Sequence, residues 1–111
     1  MRYKGFLFVA ALAAAAACDE TTAITDNVQV GLGGAAFSPA VQTLASKKPV
    51  TFIWAGGPHN VTWEDNAPAS GNKSSGTYTR DFTIGFGAYR FRCTIHSTDY
   101  ATGMVGQINV P

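Results

Sequence analysis

In the segment "CTIHSTDYATGM", Cys93, His96 and Met104 bring together three side chains able to bind a soft metal ion. The whole chain has only two cysteines, two histidines and two methionines, so the concentration is uneven. The remaining histidine, His59, lies in "GGPHNVTW". One thiolate, two imidazoles and a thioether form a donor set suited to an ion alternating between Cu(II) and Cu(I). The thiolate is soft and couples covalently to the metal, while imidazoles satisfy both oxidation states. A weak axial thioether tunes the potential without enforcing the square geometry that Cu(II) alone prefers. Cys-x-x-His at a strand end and its following turn lets both donors reach one ion, and the chain then returns to Met104.

Each of these side chains has a plainer alternative. A buried cysteine is usually a small hydrophobe and a methionine usually core filler. A lone histidine is more often a satisfied polar group. Joint use of every such side chain apart from Met1 and Cys18 favours one shared ion. Cys93 as a nucleophile with His96 or His59 as base would need an oxyanion site and an orienting acid, and the sequence offers neither. Copper held by four protein ligands leaves no open position for substrate, so the expectation is a protein that is not an enzyme. Zinc suits similar donors, though affinity along the divalent series rises toward copper.

The chain opens with "MRYKGFLFVAALAAAAAC", a basic start followed by an apolar run from Gly5 to Ala17. This is the pattern of an export signal over 1–17, and the run is shorter than the roughly 20 residues that span a bilayer. Ala15-Ala16-Ala17-Cys18 resembles a bacterial lipobox, which makes Cys18 the expected lipidated residue. Residues 18–26 then form a polar tether, and 27–111 a single domain. The expected location is periplasmic or at the cell surface, anchored to the membrane as a lipoprotein.

Loss of Arg2 and Lys4 with the signal leaves six basic residues against seven acidic ones. A near-neutral domain without a clustered basic face excludes nucleic-acid binding. Lys47-Lys48 is the one basic doublet and reads as a solvated strand end. Cys93 is left without a disulfide partner inside the domain, despite an oxidising compartment.

From Asn27 onward the apolar period is two, broken by Gly, Pro, Asn and Ser. Val28, Val30 and Leu32 share one face, as do Val50, Phe52 and Trp54. Tyr78, Phe82 and Ile84 form a third set, and Tyr89, Phe91 and Cys93 a fourth, opposite Arg90 and Arg92. Ile108 and Val110 close the chain. Short strands with turns between them predict an all-β, antiparallel sandwich. "EDNAPASGNKSSG" reads as a surface loop. His59 falls in register with Val61 and Trp63, so His59 and Cys93 are expected to face inward and meet at one pole.

"AGGPHNVTWEDNAPASG" with "GAYRFRCTIHSTDYATGMVGQINV" resembles the plastocyanins and related small blue-copper proteins, the cupredoxins. The likeness lies in Pro-His-Asn-Val, the Ser-Gly beyond it, the Gly-x-Tyr-x-Phe-x-Cys strand and Gly-Met-Val-Gly. It implies a Greek-key sandwich of about eight strands holding one type 1 copper ion, with His59, Cys93, His96 and Met104 as ligands. It also implies that Asn60 points its backbone N–H at the Cys93 sulfur and ties the ligand loops together through its side chain. Electrons would pass through the exposed edge of His96, amid an apolar patch, to redox proteins that act as donor and acceptor in transient contacts. The protein would be a monomer. Copper storage or delivery on the same fold is the alternative function.

Two places depart from plastocyanins. The stretch "STDYATG" between His96 and Met104 is longer, which leaves Gln107 as a fallback axial donor. Arg92 stands where photosynthetic plastocyanins carry an aromatic residue, so their remote electron route and their partners are not expected.

Overall fold

The computed structural model describes residues 26–111; the expected signal, Cys18 and most of the tether lie outside them. Eight strands are formed among the described residues: β1 Asp26–Val30, β2 Phe37–Ser38, β3 Val41–Thr43, β4 Pro49–Trp54, β5 Thr62–Trp63, β6 Thr77–Asp81, β7 Gly87–Arg92 and β8 Val105–Val110. They lie in two four-stranded sheets, in the orders β2-β1-β4-β6 and β3-β8-β7-β5. The chain crosses repeatedly from one sheet to the other, giving the expected sandwich.

Four pairings are antiparallel, as expected. Two are parallel: β1 with β4, and β3 with β8. A parallel pair needs a long crossover rather than a hairpin, and here the path between β1 and β4 runs through β3 in the opposite sheet. The sheets are therefore mixed. Alternation along a sequence sets which face is buried, but not the direction of a neighbour that arrives from the far layer.

The inward sets pack as alternation requires. Val28, Val30, Val50, Phe52, Phe91 and Ile108 are fully buried. The Phe52 ring lies 5.1 Å from Phe91 and 5.9 Å from Trp63, both edge-to-face. Phe37 meets Phe91 at 4.7 Å in the same manner, the arrangement that ring quadrupoles favour. This aromatic block separates two poles. With strands of five or six residues at about 3.3 Å each, the poles stand roughly 20 Å apart.

Two expected core residues are outside instead. Leu32 is 56% exposed because β1 ends at Val30 and Gly31 turns at φ +78°. Ile84 is 95% exposed because β6 ends at Asp81 and the chain leaves the sheet after Phe82. Period two continues in the letters, but not in the backbone.

Candidate metal centre

Three segments meet at the pole where β1, β4 and β7 end. Cys93 follows β7 directly and is fully buried. Its backbone amide donates to the Met104 carbonyl at 3.0 Å, and the Met104 amide donates to the His96 carbonyl at 3.3 Å. The loop from Cys93 to Met104 is thus closed by main-chain bonds at both ends. The His96 amide donates to the Cys93 carbonyl at 3.2 Å, a tight turn that carries its ring back over the sulfur. His96 is exposed, whereas His59 is buried.

His59 lies between β4 and β5, in neither strand, and is held by an isolated bridge. It exchanges two main-chain bonds with Lys73, at 3.0 and 2.9 Å. The Trp54 indole N–H donates to its carbonyl at 3.0 Å. Gly31 leaves room for its ring: a Cβ there would stand 2.7 Å from the His59 Cδ2 and 2.8 Å from Nε2. The Nε2 edge therefore faces the Gly31 turn and Nδ1 faces inward.

The donor atoms converge. His59 Nδ1 and His96 Nδ1 are 3.2 Å apart. The Cys93 Sγ lies 3.6 Å from His96 Nδ1 and 4.0 Å from His59 Nδ1. Lone pairs this close repel unless a proton or a cation sits among them. Separations of 3.2–4.0 Å are what two imidazole nitrogens and a thiolate show when each can lie about 2.0–2.3 Å from one first-row ion. The residues fit one ion, of borderline-to-soft character. Burial, and then the charge of nearby His96, lower the pKa of His59 from its usual 6.5, keeping the imidazole neutral and ready to bind.

Met104 is buried and joined through its main chain to both Cys93 and His96. Gln107 is not at this pole. It lies within β8, and its side-chain amide donates to Asn109 at 2.7 Å, so it is no fallback axial donor.

Asn60 links the segments. Its backbone N–H points to the Cys93 Sγ at 3.5 Å. Its side-chain amide donates to Asn72 Oδ1 and Thr94 Oγ1, both at 2.9 Å. Its carbonyl oxygen accepts from the Thr62 hydroxyl at 2.9 Å and the Thr94 amide at 3.1 Å.

The polar stretch read as a surface loop is part of this support. Ser70 Oγ accepts from the Val61 amide at 2.8 Å, and Asn72 and Lys73 are the partners of Asn60 and His59. The sign in the sequence was the Ser-Gly within it; its partners were not legible. Arg92 braces the longer loop, its guanidinium donating to the Ser97 carbonyl and lying 5.2 Å from the Tyr100 ring centre.

A sandwich with a buried thiol and two imidazoles meeting at one pole has the cupredoxin architecture. Known structures agree. Pseudoazurin from Methylobacterium extorquens AM1 is 26% identical, over 78% of this chain and 75% of that one, with a TM-score of 0.59. A fern plastocyanin is 24% identical over 77% of this chain and 99% of its own, at 0.59. An amicyanin, solved in a reduced Cu(I) form, is 20% identical over 83% and 87%, at 0.62. No family model and no curated protein matches the chain. The resemblance to small blue-copper proteins therefore extends from sequence motifs to the three-dimensional fold.

Proposed function

We propose that this chain is a type 1 copper protein that carries single electrons between redox partners outside the cytoplasm. The observation that carries the reading is the convergence of two Nδ1 atoms and one Sγ within 4.8 Å of one another. His59, Cys93, His96 and Met104 would hold the ion, the first three through the nitrogens and sulfur that converge here. Copper, when bound, supplies the one-electron change between Cu(I) and Cu(II).

The protein's own residues do the rest. The Asn60 N–H stabilises negative charge on the sulfur, and the Asn60 side chain keeps the loops from shifting between states. Main-chain closure of the Cys93–Met104 loop holds the donors rigidly, which keeps reorganisation small. Exposure of His96, beside Ile95 at 45% exposed and with Leu32 on the Gly31 turn of the same pole, offers a short path for an electron to a partner. Contacts of this kind are small and brief. In this reading the protein is a carrier rather than an enzyme, since four protein donors leave the ion no open position, and it acts as a monomer. Cys18 is the proposed lipid attachment, after removal of 1–17, and the tether leaves the domain anchored outside the cytoplasmic membrane.

Cu(II) added to the purified protein should produce an intense blue thiolate-to-copper charge-transfer band at one ion per chain, bleached and restored by a one-electron reductant and oxidant. Tight but colourless copper, or copper that exchanges no electrons, would favour storage or delivery. A Cys93→Ser variant that binds copper equally well and keeps the colour would refute the site.

A further inference from the structure

The pole opposite the metal centre carries two large apolar side chains that none of the described residues covers. Ile84 is 95% exposed and Phe86 78%. They flank Gly85 in the connection between β6 and β7, and this connection is pinned rather than loose. The Lys47 ammonium donates to the Gly85 carbonyl, the Phe86 amide donates to the Tyr89 hydroxyl at 3.1 Å, and the Thr83 amide donates to Asp81 Oδ1 at 2.8 Å. Main-chain groups point inward to partners while the two apolar side chains point out. Burying neither costs a small domain core it has little to spare, and adjacent exposed apolar residues mark contact surfaces.

The path of the chain says what covers them. Asp26, where β1 begins, pairs with Val50, and Val50 with Arg80, so the N-terminal residues depart from this same pole. Lys48 bonds Asp26 at 3.4 Å while its neighbour Lys47 reaches Gly85. The segment preceding Asp26 contains the apolar run and Cys18. Membrane attachment made there has its shortest path to this pole rather than to the His96 pole. Charges around the loop balance, Lys47 and Lys48 against Asp26 and Asp81, so apolar insertion rather than attraction to anionic lipid drives the contact.

We infer that Ile84 and Phe86 form a membrane-docking wedge that inserts into the interfacial region of the bilayer and holds His96 facing away from it. The inference takes from the proposed function only that the chain is held at a membrane. Copper plays no part in it, so a blue protein whose loop stays out of lipid would refute the wedge and leave the metal site standing.

The test places a tryptophan at either pole of the full chain, in neutral phosphatidylcholine vesicles with brominated acyl chains. Trp54 and Trp63 are buried and report no lipid contact. Phe86→Trp emission should shift to the blue and fall at least twofold, while Leu32→Trp stays unquenched. Equal quenching at both poles, or none at Phe86→Trp, overturns the proposal. In a Cys18→Ser protein freed of residues 1–17, Ile84→Ser with Phe86→Ser should lower vesicle partitioning at least tenfold, with circular dichroism unchanged and little dependence on salt. Partitioning confined to anionic vesicles and lost in salt overturns apolar insertion. A dimer in sedimentation that the double variant dissolves would make a second copy the occupant and overturn the bilayer.

Discussion

The backbone amide of Asn60 stands 3.5 Å from the sulfur of Cys93, although 33 positions separate them in the chain. The residue after one imidazole thus donates to the thiol that lies three residues before the other. The pairing couples the two ligand-bearing segments before any ion binds. It also means that one residue serves two separable purposes: its main chain acts on sulfur charge, and its side chain acts on loop position.

Asn60→Ala separates them. The N–H to sulfur contact survives, while Asn72, Thr94 and Thr62 lose a buried partner. Asn72 and Thr94 are exposed and can turn to water, so the loss of these bonds costs about 1–2 kcal/mol in total. Denaturant unfolding of the metal-free protein should show that loss as a lower midpoint at unchanged slope, with the charge-transfer band of the copper form little moved.

Gly31→Ala attacks the second histidine from behind. Its Cβ would meet His59 at 2.7 Å and the Gly56 carbonyl oxygen at 2.7 Å, at a backbone φ of +78°. Both strain and displacement follow, costing about 1–2 kcal/mol for the left-handed backbone alone. Copper affinity measured by competition with a chelator should drop at least tenfold, a loss that no contact to the ion itself explains.

Met104→Leu distinguishes ligand from filler. The swap conserves volume and should cost under about 1.5 kcal/mol of stability. If the thioether is the axial donor, the reduction potential read by voltammetry rises, because a donor favouring Cu(II) is gone. An unchanged potential would make Met104 core packing only.

Acid should act through His59. Its pKa is lowered in the folded state, by burial first and the His96 charge second. As pH falls below the ordinary 6.5, the unfolded chain takes the proton before the folded one does. Stability of the metal-free protein from this group is therefore complete above that pH and is lost as pH falls through the lowered value. Unfolding midpoints measured against pH should show this decline, and His59→Gln, which cannot titrate, should flatten it. Bound copper should delay it, since metal and proton compete for the same nitrogen.

Much of the site was legible beforehand because its chemistry is rare in this chain. Cys93, His96 and Met104 are three of very few soft or imidazole donors, and alternation with Phe91 and Trp63 aimed Cys93 and His59 inward. The supporting residues were not legible. Asn72, Ser70 and Thr94 are common polar residues in a polar stretch, and nothing in their spacing names Asn60 or Val61 as partners. Gly31 looked like a turn glycine, and only its approach to His59 shows that a side chain there would displace a ring. Leu32 and Ile84 were misplaced for a related reason: a hydrophobic period persists past the point where main-chain pairing stops.

By itself the sequence determined the sandwich, the inward faces of its strands and the kinds of donor available, because period-two burial and ligand chemistry are local properties of the letters. Only tertiary structure decided that β1 runs parallel to β4, that Gln107 sits away from the metal pole and that Ile84 and Phe86 stand bare at the other. Those outcomes depend on which distant segments share a layer and where each strand ends. Pairing across the fold settles them, and no single stretch of chain contains it.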